Sequence, residues 1–92
     1  MKYKHDLPKQ WVDKVSGFEE FANGAAQVTI RTKDGKVHER VLISNSSALV
    51  AMRGKKELPF AIQDIAEIYQ SVEDCNPQVR DDWTFWDDWK KP

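Results

Sequence analysis

The side chains best suited to act as a nucleophile or general base are Cys75, His5 and His38. Catalysis of that kind needs a nucleophile, a base within hydrogen-bonding reach and a third group that orients the base. Cys75 follows Glu73 and Asp74, and neighbouring negative charge disfavours the reactive thiolate. One cysteine and two distant histidines lack the spacing of metal ligands, and the chain has no glycine-rich phosphate-binding motif. The sequence therefore predicts a protein that is not an enzyme and has no metal or cofactor.

Basic residues cluster around Asp34-Gly35, which lies between two runs of alternating apolar residues. Asp-Gly in that setting is the strongest short signal for a hairpin with a two-residue turn, because such a turn needs positive φ angles. Counting outward from the turn predicts the pairs Lys33–Lys36, Thr32–Val37, Arg31–His38, Ile30–Glu39, Thr29–Arg40 and Val28–Val41. One face of the hairpin then carries Thr29 and a set of basic side chains, here called the basic ridge: Arg31, Lys33, Lys36, His38 and Arg40.

The basic ridge is a candidate site for an anion. Like charges directly opposite each other on two strands destabilise a hairpin, and a bound anion would offset that cost. Binding of RNA or single-stranded nucleic acid is therefore one predicted function, and a solvated edge that prevents aggregation is the alternative. A net charge of −1 and a pI of about 6.1 argue against nucleic acid, since domains that bind it are usually strongly basic.

A second candidate site is DDWTFWDDWKKP at 81–92, here called the acidic aromatic segment. Tryptophan is enriched among the residues that dominate protein–protein binding, and aspartates would steer a basic partner. The predicted protein-binding residues are Trp83, Phe85, Trp86, Trp89, Asp81, Asp82, Asp87 and Asp88. The alternative is that the rings complete a core too small to close without them. In that case at least one of Trp83 and Trp86 is buried on the sheet, and Trp11 contacts the same core.

Opposite charges link the two candidate sites. Residues 25–71 carry seven basic and five acidic side chains, whereas residues 72–92 carry three basic and six acidic ones. We therefore expect aspartates of the acidic aromatic segment to lie close to Arg31, Lys33 or Arg40.

A few elements must position these residues. Apolar residues recur at steps of three and four over 8–23, which predicts helical structure. Gly17 and the capping-box pattern at 16–19 leave open whether this is one helix or two. Period-two alternation predicts strands on both sides of Asp34-Gly35, and residues 48–53 are a third strand.

Residues 57–72 fit two structures. Their apolar spacing fits an amphipathic helix. The same residues fit a fourth strand through Phe60, a tight turn at 63–64 and a fifth strand over 65–69. Their β-branched and aromatic residues favour the strands.

The order of Asp-Gly hairpin, third strand, glycine turn and ELPFAIQDIAEI resembles small Sm-like and SH3-like barrel proteins. It is also similar to the small Sm-like bacterial proteins that inhibit the transcription terminator Rho, which have an Asp-Gly hairpin ahead of an Asp-x-Ile closing element. The resemblance is at the level of the fold, covers about residues 26–70 and does not extend to the acidic aromatic segment. It implies a strongly bent sheet that approaches a small barrel.

A length of 92 residues allows one domain, with 8–23 helical, 26–70 in the sheet and 76–92 as a tail. No apolar run is long enough to cross a membrane. The sequence shows neither a secretory signal nor a disulfide framework, which favours a cytoplasmic protein.

The predicted fold is α+β: an N-terminal helix, a strongly bent antiparallel sheet of about five strands that approaches an SH3-like or Sm-like barrel, and a docked Trp-rich tail. The alternative fold is a three-stranded antiparallel meander with helices at 59–72 and 77–90. The predicted function is non-catalytic binding of a protein partner, as a protein-interaction regulator or an immunity-type protein. Binding of nucleic acid through the basic ridge is the alternative.

Overall fold

The computed structural model describes residues 4–21, 24–77, 83, 85 and 86 of the 92-residue chain. Its elements, in chain order, are α1 (Lys9–Val15), β1 (Ala25–Thr32), β2 (Val37–Ser44), β3 (Ala48–Met52), a 3-10 turn (Ile62–Asp64), β4 (Ile65–Tyr69) and α2 (Val72–Cys75). In this part of the chain, no helix is long and apolar enough to cross a membrane.

The strands form one antiparallel sheet in the order β3-β2-β1-β4. The predicted α+β class with an antiparallel sheet is therefore confirmed. The fifth strand and the barrel are not confirmed, because the described residues form four strands in an open sheet with β3 and β4 at its edges. Residues 57–61 add no strand, since Pro59 has no N–H to donate to a ladder and Phe60 packs against the core instead.

The alternative fold is wrong where the structure tests it. Strand β4 occupies the second half of the predicted helix at 59–72, as its β-branched residues indicate. Of the predicted helix at 77–90, most residues lie outside the described part of the chain. Trp83, Phe85 and Trp86 are described, and they are not helical.

The N-terminal helix is shorter than predicted, since α1 ends at Val15 and residues 16–21 are not helical. Ser16 Oγ donates to Asp13 O at 2.9 Å at the end of the helix. Beyond it, the side-chain amide of Gln70 forms two hydrogen bonds with the backbone of Glu19. Glu19 N donates to Gln70 Oε1, and Gln70 Nε2 donates to Glu19 O, both at 2.9 Å. A distant side chain thus supplies the hydrogen bonds that a continued helix would have made.

Strands β1 and β2 form the predicted hairpin, and the predicted positive φ of Gly35 is confirmed at +87°. The turn nevertheless has three residues, because Gly35 N donates to Thr32 O and Thr32 N donates to Lys36 O. Asp34 Oδ1 also accepts from Lys36 N at 3.1 Å, which favours this longer turn.

The longer turn shifts the hairpin pairs by one residue, so that Ile30 pairs with His38 and Arg31 with Val37. The predicted register returns at Val28–Val41 because two residues of β2, Glu39 and Arg40, lie opposite Thr29 in a β-bulge. Arg40 has a φ of +59° there. The Val28–Val41 pair is therefore confirmed, Thr29 lies opposite Glu39 as well as the predicted Arg40, and the other predicted pairs are wrong.

Both faces of the sheet are covered by apolar side chains. The main core joins Val15 of α1 to one face of the sheet: Val28, Ile30, Val41, Ile43, Leu49, Met52, Ile65 and Ile68. The opposite face carries a smaller cluster of Leu42, Ala48, Val50 and Ala51.

Two tryptophans of the C-terminal segment, Trp83 and Trp86, lie on opposite faces of the sheet. Trp86 is 7% exposed in the main core, which Trp11 also contacts. Trp83 packs against the smaller cluster, with its ring stacked on Phe21 at 5.5 Å. The predicted burial of at least one of these tryptophans and the contact of Trp11 are therefore confirmed.

Distant segments cover the outer edge of β3. From the N-terminal side, Leu49 N donates to the carbonyl of His5 at 3.0 Å, and Leu7 N donates to that of Ser47 at 2.8 Å. From the C-terminal side, Trp86 N donates to Val50 O at 3.0 Å. The C-terminal segment therefore crosses this edge, with one tryptophan on each face.

Replacing Gly35 with valine is expected to lower the free energy of unfolding by about 1 kcal/mol or more. Nothing lies within 4 Å of the position that a Cβ atom would take, so the cost comes from backbone strain and not from a clash. The matched control is Gly35→Asn, which tolerates a positive φ and should lose less. Urea unfolding measures both, and a valine variant as stable as the wild type would contradict this turn geometry.

Candidate functional site

Part of the basic ridge lies in a cleft beside the hairpin turn, here called the lysine cleft. Its volume is about 570 Å³. It is lined by Thr32, Lys33, Asp34, Lys36, His38, Lys55, Pro59, Phe60 and Asp64. Lys33 N donates to Asp64 O at 2.8 Å, and this bond ties the hairpin turn to the 3-10 turn on the other side of the cleft.

Exposed lysines from two loops stand around the lysine cleft. Lys33 lies in the hairpin turn and Lys36 directly follows it, whereas Lys55 comes from the loop that follows β3. Lys55 N donates to Met52 O at 3.0 Å, and Trp86 Nε1 donates to Lys55 O at 3.3 Å. The buried indole of Trp86 therefore also holds one wall of the cleft in place.

Thr32 connects the polar groups at the base of the cleft. Its hydroxyl is buried and donates to Asp34 Oδ1 at 2.6 Å, and it lies 3.3 Å from His38 Nε2. The hydrogen bond from Thr32 lowers the pKa of Asp34, and the backbone N–H of Lys36 adds to the effect. In a catalytic triad the hydroxyl proton points to the imidazole. Here it points to the Asp34 carboxylate, whose lowered pKa makes it a weak base, so this arrangement does not activate Thr32 as a nucleophile.

His38 is half-buried, with its ring centroid 4.6 Å from that of Phe60. Burial is the main cause that lowers the pKa of His38. The negative charge of Asp34 opposes this shift, and the positive charges of Lys36 and Lys55 reinforce it. At neutral pH the imidazole is therefore uncharged, and the lysines carry the positive charge of the cleft.

The fold is expected to lose stability as the pH drops below about 6.5, the ordinary pKa of histidine. Because the folded state lowers the pKa of His38, the unfolded chain takes up this proton at a higher pH than the folded chain does. The contribution of His38 to the free energy of unfolding is fully present above the ordinary pKa of histidine. It is lost as the pH falls towards the pKa that His38 has in the folded state.

Urea unfolding of the wild type and of His38→Gln, at about pH 7.5 and about pH 5, measures this contribution. The variant should lose less stability than the wild type between the two conditions. Asp34 does not interfere, because a lowered carboxylate pKa affects stability only below about pH 4. Equal losses in both proteins would exclude His38 as the titrating group.

The residues of the basic ridge do not all lie on one face of the hairpin. Lys33, Lys36 and His38 line the cleft, whereas Arg31 pairs with Val37 and faces away from His38. Arg40 is engaged elsewhere.

The guanidinium of Arg40 binds Glu73 with two hydrogen bonds, from Nε to Oε2 and from Nη2 to Oε1, both at 3.1 Å. This carboxylate raises the pKa of Arg40. The Arg40 carbonyl accepts from Arg53 N at 3.1 Å and from Trp83 Nε1 at 3.4 Å. These contacts fix the bulge and keep Arg40 out of the cleft.

Of the residues that line the cleft, sequence reasoning predicted Lys33, Lys36 and His38 as site residues and missed the others, among them Lys55 and Phe60. The turn at Gly54-Lys55-Lys56 and the apolar stretch around Phe60 are both visible in the sequence. No local pattern indicates, however, that the loop between β3 and β4 folds onto the hairpin turn.

The acidic aromatic segment is only partly described. Trp86 is buried and Trp83 is half-buried, so both rings pack against the apolar clusters of the sheet. Phe85, by contrast, is 38% exposed. Trp89 and the four aspartates, Asp81, Asp82, Asp87 and Asp88, lie outside the described residues, and so does their predicted contact with the basic ridge. The role of this segment in protein binding stays a prediction.

A buried carboxylate, also missed, lies on the opposite face of the sheet from the main core. Asp74 is 2% exposed and accepts hydrogen bonds from Gln27 Nε2 and Thr29 Oγ1 at 2.8 Å and from Ser71 N at 2.9 Å. Asp74 N donates to Ser71 Oγ in return, which completes a capping box at the start of α2. The spacing Ser-x-x-Asp at 71–74 is the sequence signal that could have found it.

No protein-family model matches the chain, and neither a curated protein nor a solved structure matches it. The resemblance to Sm-like and SH3-like barrel proteins therefore stays a prediction. A functional conclusion has to come from the geometry of the site.

Proposed function

We propose that this protein is a small, non-catalytic, cytoplasmic binding module that contacts a macromolecular partner, principally another protein, through the lysine cleft. The observation that carries the proposal is that three exposed lysines from two separate loops line one cleft. The volume of the cleft, about 570 Å³, falls within the range of ligand-binding sites.

The polar contacts inside the cleft support binding over catalysis. A catalytic hydroxyl needs a base strong enough to take its proton, and the Asp34 carboxylate that accepts from Thr32 has a lowered pKa and is a weak base. Among the described residues, no three His, Cys, Asp or Glu side chains are grouped as metal ligands.

A regulator or an immunity-type protein acts by occupying a surface of its partner. Exposed lysines suit such a role, because complementary charges across an interface raise the association rate and the specificity of binding. The aromatic rings of Trp83 and Trp86 support this role indirectly, since they hold the fold that presents the lysines.

A second candidate function is the binding of RNA or single-stranded DNA at the same cleft. The observation that favours it is the half-buried ring of Phe60, which lines the cleft beside the lysines and offers a surface for a base. Nucleic-acid binding ranks below protein binding because the chain has a net charge of −1, and its negative groups repel a polyanion.

The test compares retention of partners from native cell lysate by immobilised wild type and two double variants. Lys36→Gln/Lys55→Gln removes one lysine from each wall of the cleft. Lys9→Gln/Lys56→Gln removes the same charge from exposed lysines that do not line it.

A partner that the wild type and the control variant retain, and the cleft variant loses, is the expected result. Nuclease treatment of half of the lysate separates a protein partner from nucleic acid. Equal retention by both double variants would refute the cleft as the contact.

A further inference from the structure

Carboxylates line the lysine cleft together with the lysines. Asp34 lies in the hairpin turn and Asp64 ends the 3-10 turn on the other side. The hydroxyl of Thr32 donates to Asp34 and lowers the pKa of this carboxyl group, which is ionised at neutral pH. A ligand in the cleft therefore meets negative as well as positive groups.

This mixture of charges fits a peptide better than a nucleic acid strand. A nucleic acid brings a row of phosphates, which the lysines attract and the two carboxylates repel, and its affinity depends mainly on the number of phosphates neutralised. A peptide brings carboxylate side chains for the lysines and backbone N–H groups for Asp34 and Asp64. Both kinds of charge in the cleft then have a partner.

The cleft also has an apolar wall formed by Pro59 and Phe60. The ring of Phe60 lies against His38 on one side and packs against the main core, so its position is fixed before a ligand arrives. Preformed apolar surfaces next to charged groups are where aromatic and apolar anchors of a partner bind.

We infer that the ligand of the lysine cleft is an acidic segment of a partner protein, in which carboxylate side chains stand beside an aromatic or apolar anchor. The inference rests on the proposed function and narrows the partner to one class. The carboxylates bind between Lys36 of the hairpin and Lys55 of the opposite loop, and the anchor covers the wall formed by Pro59 and Phe60.

Two short probes of equal net charge test the inference: a peptide of alternating aspartate and tryptophan, and an oligothymidylate. Fluorescence anisotropy of labelled probes gives both affinities for the full chain at the same salt concentration. The peptide is expected to bind more tightly. Its affinity should fall about fivefold in Lys36→Gln/Lys55→Gln, since exposed charge pairs contribute modestly, and should stay unchanged in Lys9→Gln/Lys56→Gln.

Phe60→Leu tests the apolar wall, because leucine keeps the core filled and removes the aromatic surface. It should weaken binding of the aspartate–tryptophan peptide and leave binding of an aspartate–glycine peptide unchanged. Equal effects on both peptides would overturn the assignment of the anchor.

Tighter binding of the oligothymidylate, lost in Lys36→Gln/Lys55→Gln, would overturn this inference while keeping the cleft as a binding site. If neither probe responds to the loss of these two lysines, the proposed function fails together with the inference.

Discussion

Replacing Trp86 with alanine is expected to lower the free energy of unfolding by about 3–5 kcal/mol, the usual cost of removing a large buried aromatic side chain. The ring is 7% exposed in the main core, contacts His5 edge-on with ring centroids 5.5 Å apart, and donates from Nε1 to the carbonyl of Lys55. The substitution removes these contacts and leaves a cavity, while the backbone bond to Val50 can persist. A domain of this size has about 5–15 kcal/mol of stability in total.

Thermal unfolding measures the effect. For a small domain, a loss of 3–5 kcal/mol corresponds to a drop in Tm of more than about 12 °C. The control is Phe85→Ala, next in the chain but 38% exposed, and its Tm should fall clearly less. Truncation after Val79 removes both Trp83 and Trp86 and is expected to prevent folding. An unchanged Tm for Trp86→Ala would show that this segment is not part of the core.

Replacing Asp74 with alanine is expected to lower the free energy of unfolding by about 3 kcal/mol or more. Gln27 and Thr29, which donate to this carboxylate, are 1% and 4% exposed, so water cannot easily replace the lost acceptor. Each buried donor left without a partner costs about 1–3 kcal/mol. The loss of the reciprocal bond with Ser71 adds to this, because it caps α2.

The matched control for Asp74→Ala is Glu73→Ala, which removes the neighbouring carboxylate of the same helix. Glu73 binds Arg40, but both side chains are more than a third exposed, so this pair contributes little to the free energy of unfolding. Urea unfolding compares the two variants. If Asp74→Ala and Glu73→Ala lose the same amount of stability, the buried network does not hold α2 to the sheet.

Local patterns in the sequence predict the elements whose physical cause is local. The positive φ of Gly35 follows from the Asp-Gly turn, and strand β4 follows from its β-branched residues. The burial of Trp86 follows from the small core of a short chain, which a large ring helps to complete.

The β-bulge of the hairpin could not be predicted, because the contacts that hold it come from residues far away in the chain. The bulge at Arg40 is held by Glu73, Arg53 and Trp83, which belong to three other parts of the fold. A shift of one residue moves every side chain of a strand to the other face. The three-residue turn causes such a shift between Arg31 and His38, and this shift is the reason why the predicted basic ridge is divided.

The composition of the lysine cleft depends on tertiary contacts in the same way. Lys33 N bonds to Asp64 O, and this contact brings the loop that carries Lys55 and Phe60 to the hairpin turn. The sequence shows these residue types, but it does not show that the fold brings them together in one cleft.

The segments around His5 and Trp86, which cover the outer edge of β3, affect the order in which the protein folds. The hairpin of β1 and β2 joins neighbouring residues, so closing it costs little chain entropy. The bonds from His5 to Leu49 and from Trp86 to Val50 join residues that are far apart in the chain.

We therefore expect the two ends of the described chain to join β3 after the rate-limiting step of folding. A mild substitution such as Trp86→Phe should then speed unfolding and leave the folding rate nearly unchanged in stopped-flow experiments, whereas Ile30→Val in the hairpin should slow folding. A slower folding rate for Trp86→Phe would place the C-terminal contact in the folding nucleus. The strand at the edge of the sheet is thus expected to be the last to be secured and the first to be released, so the free energy of its opening adds to the unfolding barrier and lengthens the lifetime of the native state.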